Sequence, residues 1–497
     1  MGTTSIAQPA PKLSKKAYEA RLPLVREELV RLQIELKEGG FPVLLVLAGT
    51  EGAGRGEVIN KLSGWLDPRG VETIAFNRRT DEERERPWIW RYWQTIPAAG
   101  RIGIYAESWY TEALTAHFES RRSIIHLERE LEAIRRFENL LSDDGALVIK
   151  IWLHLSKSEQ KRRLQELEQT EDTAWRVTPE HWKHHRHYAR FQRTADYVIG
   201  RTSRHATPWI RIEAENARAR DLAVAELLLK KFRQHVRRVD RRHGQIKTPK
   251  ATYPLRASGR ARLLDLPLDQ DMSSDEYDEK REKWLGKLHH AVQAAHLAKR
   301  SVIFAFEGWD AAGKGGAIRR LTSAIDARDF RVIPVAKPTD EERARHYLWR
   351  FWRRIPRDGL VTIFDRSWYG RVLVERLEGF ARGDEWRRAF AEIVAFEEEL
   401  VRHGIVVIKF WLQISADEQL KRFRAREETA YKRHKMSAED WRNRRKWKDY
   451  EIAVGDMLAL TDTKSAPWHL VPANNKRFAR LEVLKLACRQ IESALGL

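Results

Sequence analysis

Residues 306–321 read FEGWDAAGKGGAIRRL, and the reading of these glycines decides the fold. Gly308, Gly313 and Lys314 fit G-x-x-x-x-G-K, a loop whose N–H groups and following helix N-terminus cradle phosphate. The loop follows a strand-like apolar run that starts at Val302 and opens a segment with helical apolar spacing, the context that gives the pattern meaning. Gly308, Ala311, Ala312, Gly313, Gly315 and Gly316 are therefore expected to line a phosphate site, with Lys314 meeting the phosphate as a point charge. Gly315 stands where Ser or Thr would place a hydroxyl on magnesium, so a metal there needs other oxygens. Asp310 lies inside the loop, and Asp365 ends the later apolar run LVTIFD. Two carboxylates approaching one site can bind Mg2+ through oxygen.

Moving outward, the chain contains the same unit twice. LLVLAGTEGAGRGEVINKL from Leu44 aligns with VIFAFEGWDAAGKGGAIRRL from Val302. The register holds without a gap: Gly49 and Gly308, Asp81 and Asp340, Trp90 and Trp349, Pro97 and Pro356, and Lys150 and Lys409 are each 259 residues apart. TDEERERPWIWRYWQTIP matches TDEERARHYLWRFWRRIP, and ESWY matches RSWY. Such regular self-similarity marks a tandem duplication.

Each copy reads as an α/β unit. An amphipathic helix (16–36; 274–297) leads into a short β-rich run, the glycine loop and a helix. Further buried strands are expected at 73–76, 101–105 and 146–155, and at 331–335, 360–364 and 405–414. Strands alternating with helices imply a mostly parallel sheet covered on both faces. Residues 241–275 are polar, turn-rich and outside the repeat, so the chain divides into 1–240, a linker at 241–275, and 276–497.

The copies differ where chemistry is expected. The first reads AGTEGAGRGE: Arg55 replaces Lys314, Glu51 replaces Asp310, Glu57 replaces Gly316, and Ala106-Glu107 replaces Asp365-Arg366. Losing the lysine, a metal ligand and an arginine together leaves no obvious means of neutralising a transferring phosphoryl group. The first copy is read as structural or regulatory, with catalysis in the second; relaxed activity in both copies is the alternative.

Residues 421–448 hold 12 Lys or Arg against 4 Asp or Glu. A solvated helix face explains most such runs, but this one follows the last expected strand of a phosphate-binding unit, where a lid is often carried. Arg422 and Arg426, four apart, share one helical face. Guanidinium forks spaced along a face suit a linear polyphosphate. HWKHHRH, 181–187, is the first copy's counterpart of this lid rather than a zinc site. The clusters WIWRYW and YLWRFW are read as core packing in preference to base-stacking platforms.

Composition sets the frame. The chain has 497 residues, 42% of them hydrophobic, and a net charge of +21, which points to a polyanionic partner without choosing among nucleic acid, membrane surface and phosphate-rich substrate. One cysteine, Cys488, excludes an internal disulfide framework and favours a reducing compartment. Without a signal-like or membrane-spanning apolar stretch, a cytoplasmic protein with no membrane partner is expected.

Together, GWDAAGKGG, KPTDEE, LWRFW, FDRSWYGRVLVER and the KFWLQIS segment resemble the polyphosphate kinase 2 family over nearly all of the second half. Two fused copies with a degraded first one are similar to the class that phosphorylates AMP. The resemblance implies P-loop kinase domains like thymidylate kinase, each with a parallel sheet, flanking helices and a helical lid. It further implies that Asp310 and Asp365 act in a Mg2+ site and that Lys314 and Arg366 contact the reacting phosphates. Arg371, Arg422 and Arg426 would guide the chain, and Lys337 would face phosphate. The substrates implied are inorganic polyphosphate and AMP, giving ADP, with no nucleic acid; a homo-oligomer stays open, as do acceptors other than AMP. The rival readings are an ATP-dependent nucleotide kinase and a non-catalytic polyanion or nucleic-acid binder, the latter leaving Asp310 and Asp365 unexplained.

Overall fold

A computed structural model describes residues 13–119, 123–245, 257–428 and 438–497. Each copy builds one five-stranded sheet. The first contains β1 (Val43–Gly49), β2 (Val71–Ile74), β3 (Ile102–Tyr105), β4 (Leu147–His154) and β5 (Trp209–Glu213). The second contains β6 (Val302–Gly308), β7 (Phe330–Pro334), β8 (Val361–Asp365), β9 (Val406–Gln413) and β10 (Trp468–Pro472). The orders, β2-β3-β1-β4-β5 and β10-β9-β6-β8-β7, are the same topology, and the paired strands run parallel. Parallel pairing requires crossovers, and the helices that supply them cover both faces. That is why the interior strands β1 and β9 are buried throughout; β1 reads as a continuous apolar run, and β9 is apolar apart from Lys409 and Gln413.

The expected strands lie within two residues of those observed. The leading helices span Lys15–Gly39 and Ser274–Leu297, started by the side chains of Ser14 and Ser273, which accept from Ala17 N and Glu276 N. β5 and β10 were not anticipated. They are short edge strands, WIRIE and WHLVP, without the apolar run that flags a central strand.

The described residues divide into two units, 13–79 with 91–245 and 339–346, and 80–90 with 257–338 and 347–497. A short segment of each copy thus belongs to the unit built by the other. In the first unit Arg345 Nε donates to Ile96 O at 3.1 Å; in the second, Arg86 Nε donates to Ile355 O at 2.9 Å. Within 241–275, a short helix occupies Ala257–Leu264, and its Arg260 pairs with Glu451 at 2.8 Å in the second unit.

The matching SWY motifs have a structural explanation. In the second copy, Trp368 Nε1 and Tyr369 OH both donate to Glu397 Oε1, at 3.0 and 2.8 Å. Lys409 Nζ donates to Glu397 Oε2, Tyr369 OH and Thr461 O at 2.8–2.9 Å. Lys409 and Glu397 side chains are 0% and 2% exposed. Trp109, Tyr110, Glu138, Lys150 and Thr202 repeat this network in the first copy. Since it persists where the glycine loop has degenerated, it serves the core. Trp93 and Trp352, from the aromatic clusters, are also buried, as the packing interpretation requires. Among the described residues, no helix is long and apolar enough to cross a membrane.

Candidate active site

β6 delivers the loop to the C-terminal edge of its sheet, where open parallel sheets bind ligands. At Gly308 the backbone takes φ 147° and runs so close to β9 that a Cβ would lie 2.6 Å from Leu412 O. The same contact forms at Gly49 against Leu153 O, so this glycine is demanded by strand packing in both copies. Ala311 and Gly313 then adopt left-handed conformations, φ 64° and 109°, and the helix Lys314–Thr322 begins. Its N-terminal residues, Lys314, Gly315 and Gly316, line an open cleft of about 580 Å³ together with Ala311, Ala312 and Gly313.

Asp310, Asp365, Lys314 and Arg366 meet at this cleft. Arg366 Nη2 donates to Asp310 Oδ1 at 2.9 Å, and Asn443 Nδ2 donates to Asp310 Oδ2 at 3.0 Å. Asp365, half-buried at the end of β8, has no side-chain hydrogen-bond partner among the described residues. Lys314 Nζ donates to Gly308 O at 2.7 Å and Trp309 O at 3.2 Å. Burial lowers its pKa, and the nearby Arg366 charge adds to that; Asp310, Asp365 and Glu307 act in the opposite direction. The pair of carboxylates is thus embedded in positive charge.

Farther along the cleft stand Arg319, Lys421, Arg422, Arg426, Lys476 and Arg480, so its lining carries eight basic and four acidic side chains. That excess suits an extended anion. Arg426 is half-buried and has no hydrogen-bond partner among the described residues. Arg422 departs from expectation. Its Nε donates to Glu418 at 2.6 Å, Nη1 to Ala311 O and Ala312 O at 2.9 and 3.0 Å, and Nη2 to Ala473 O and Asn474 O, both at 2.7 Å. All five donors of a guanidinium are taken, leaving none for a phosphate. Arg163, its counterpart, likewise holds Glu159, Gly52 O, Ala214 O and Glu215 O. A contact kept in the degenerate copy is a loop clamp.

Three of the expected phosphate ligands do not line the cleft: Lys337, Arg371 and Gly308, whose carbonyl accepts from Lys314 Nζ. Lys337 is exposed in the turn after β7. Arg371 pairs with Glu375 at 3.0 Å and lies over the Tyr347 ring at 4.5 Å. Residues 429–437 of the basic run lie outside the described residues; helices Ala416–Glu428 and Ala438–Arg445 flank them.

Several contributors escaped the motif reading. Arg480 reaches Gly316 from the C-terminal helix Lys476–Leu495, within 3.2 Å of where a Cβ would sit; nothing local to that helix signals this role. Asn443 and Gln419, whose Nε2 donates to Asp310 O at 3.0 Å, hold Asp310 from both ends. Glu307 had a signal, an acidic residue inside an otherwise apolar strand.

In the first copy the charged side chains around the loop pair with one another. Arg55 pairs with Glu51 at 3.3 Å and Glu107 at 3.4 Å. Arg220, 1% exposed, donates to Ala53 O at 2.9 Å and pairs with Glu57 at 2.8 Å and Asp221 at 2.7 Å. Its guanidinium lies 1.8 Å from where a Cβ on Gly54 would be, so it packs directly on the loop.

Among the described residues, no group of three or more His, Cys, Asp or Glu is arranged to hold a metal ion. The oxygen set at Asp310 and Asp365 fits a magnesium ion, which commonly uses one or two carboxylates, water and substrate phosphates instead of an all-protein cage.

The Polyphosphate kinase 2 (PPK2) family profile matches residues 12–239 and 271–495, both copies. A Polyphosphate:AMP phosphotransferase of Pseudomonas aeruginosa is 45% identical over 484 residues, covering 97% of each chain. A protein of the same name from Acinetobacter johnsonii is 33% identical, covering 95% of each. A crystal structure of a polyphosphate kinase 2 from Pseudomonas aeruginosa superposes with a TM-score of 0.87 at 42% identity, covering 99% of this chain and 98% of that one.

Proposed function

This chain belongs to the polyphosphate kinase 2 family, and from that premise we propose that it transfers the terminal phosphoryl group of inorganic polyphosphate to AMP, forming ADP and a chain one phosphate shorter. The observation that carries the reading is the agreement along the whole chain, both copies included, with relatives named Polyphosphate:AMP phosphotransferase. The cationic cleft beside the loop supports it, offering more positive charge than a single nucleotide needs.

The chemistry asks for little acid–base machinery. An oxygen of the AMP phosphate, largely ionised near neutral pH with a second pKa of about 6, attacks the terminal phosphorus. The P–O bond to the next phosphate breaks, and its electron pair leaves with the shortened chain. Repulsion is the obstacle: two unit charges 4 Å apart cost about 4 kcal/mol at an effective dielectric of 20. Lys314, Arg366 and the loop N–H groups counter it while positioning donor and acceptor. Asp310 and Asp365 would hold Mg2+, which supplies further neutralisation of phosphoryl charge when bound.

The test supplies AMP and Mg2+ with either long-chain polyphosphate or ATP as donor. ADP formed from polyphosphate supports the proposal. Turnover with ATP alone would replace it with the nucleotide-kinase reading, and polyphosphate binding without product would favour the non-catalytic one.

The two lid arginines separate the roles of clamp and ligand. Arg426→Ala is expected to raise the KM for polyphosphate about tenfold, the scale of a lost charge-assisted hydrogen bond, with little change for AMP. Arg422→Ala is expected instead to lower thermal stability by about 2 kcal/mol or more, because it strips partners from four backbone carbonyls. Steady-state kinetics beside thermal unfolding check both; identical profiles would contradict the division.

A further inference from the structure

Glu307 belongs to β6 and is 5% exposed. Burying a carboxylate is costly unless something holds it. Ser367 does so twice, donating to Glu307 Oε1 from its N at 2.8 Å and from its Oγ at 2.7 Å. Burial raises the carboxyl pKa, opposed by the Ser367 hydrogen bonds and by the charges of Lys314 and Arg366.

The first copy supplies the comparison. There Glu307 is replaced by Ala48, and the matching serine, Ser108, turns its N–H to Thr111 Oγ1 at 3.1 Å within its own helix cap. Gly370 replaces Thr111 in the second copy, removing that local acceptor, and the serine N–H goes to β6 instead. The strands change accordingly. Pairing of β1 with β3 stops at Val46 and Tyr105, whereas β6 and β8 continue to Phe306 and Asp365. Arg366 N then donates to Phe306 O at 3.0 Å, and Arg366 turns left-handed at φ 65°, while Glu107 does not. An L side chain stays in that region only when its surroundings hold it.

We propose that Glu307 is a positioning residue for phosphoryl transfer: by clasping Ser367 it fixes the turn at the end of β8 in which Asp365 and Arg366 face the glycine loop. It acts through those two residues. The inference rests on the function proposed above.

Glu307→Gln and Glu307→Ala test it. A glutamine oxygen can still accept from both Ser367 donors; alanine cannot. Glu307→Ala is expected to lower kcat about 100-fold, the scale of a misplaced reacting group, with KM for AMP and polyphosphate within about threefold. Glu307→Gln should retain kcat within about fivefold of wild type. A fully active Glu307→Ala, or a Glu307→Gln as impaired as alanine, would overturn the positioning role. Should Glu307→Ala not fold, Ser367→Ala removes only one of the two bonds; it is expected to lower kcat about tenfold at unchanged KM, and unchanged kcat would overturn the proposal. Wild-type protein separates the two levels: if it makes no ADP from polyphosphate, the function reading fails, whereas an active wild type beside a fully active Glu307→Ala refutes only the positioning role.

Discussion

Lys314→Ala is expected to reduce ADP formation from polyphosphate and AMP by about 10³-fold, the upper range for removing one preorganised charge-stabilising group. Asp365→Ala should do the same. Lys314 is half-buried at the first turn of its helix and Asp365 half-buried at a strand end, so neither truncation removes core volume, and circular dichroism should stay unchanged. The first copy provides an internal control. Arg55 occupies the lysine position but already pairs with Glu51 and Glu107, and no carboxylate stands at Ala106. Arg55→Ala should leave turnover within about threefold of wild type. Retained activity in Lys314→Ala with a native spectrum would remove the site from the second copy, and a collapse in Arg55→Ala would bring the first copy into the reaction.

Lys409→Met should be the most destabilising of the substitutions considered, by about 3–5 kcal/mol in denaturant unfolding, because Glu397 would stay buried without its counter-ion. Burial alone pushes the lysine pKa down and the glutamate pKa up, so the pair survives as ions only through mutual attraction and its remaining hydrogen bonds. Pairing Lys409→Met with Glu397→Leu should recover much of the loss, as when an apolar pair replaces a buried ion pair. Lys150→Met should cost a similar amount in the first copy, whose network is the same. Additive losses in the double variant, or a loss below about 1 kcal/mol in either single one, would contradict the assignment of these ions to the core.

The legibility of the site followed its locality. The sequence places the loop, Lys314 and Asp365 together because a phosphate loop is contiguous and the carboxylate ends the adjacent strand, and the structure brings them to one cleft. Arg422 lines the cleft but spends its donors on protein acceptors, for a physical reason: a guanidinium has the same donors for a phosphate as for five protein acceptors, and only the fold reveals Ala311 O, Ala312 O, Ala473 O and Asn474 O around it. Arg480, Asn443 and Gln419 come from helices remote in sequence from the loop. No local pattern foretells their arrival.

By itself the sequence determined the duplication, the alternating strands and helices of each copy, and which copy retained the lysine and both carboxylates, because periodicity, spacing and residue identity are properties of the chain. Tertiary structure alone decided which cations remain available to a ligand, how Glu107, Glu51 and Arg220 pair around the loop of the first copy, and how Ser367 meets Glu307. Those outcomes depend on which hydrogen-bond partners distant segments bring to a side chain, and that is fixed only when the sheet and its helices are assembled.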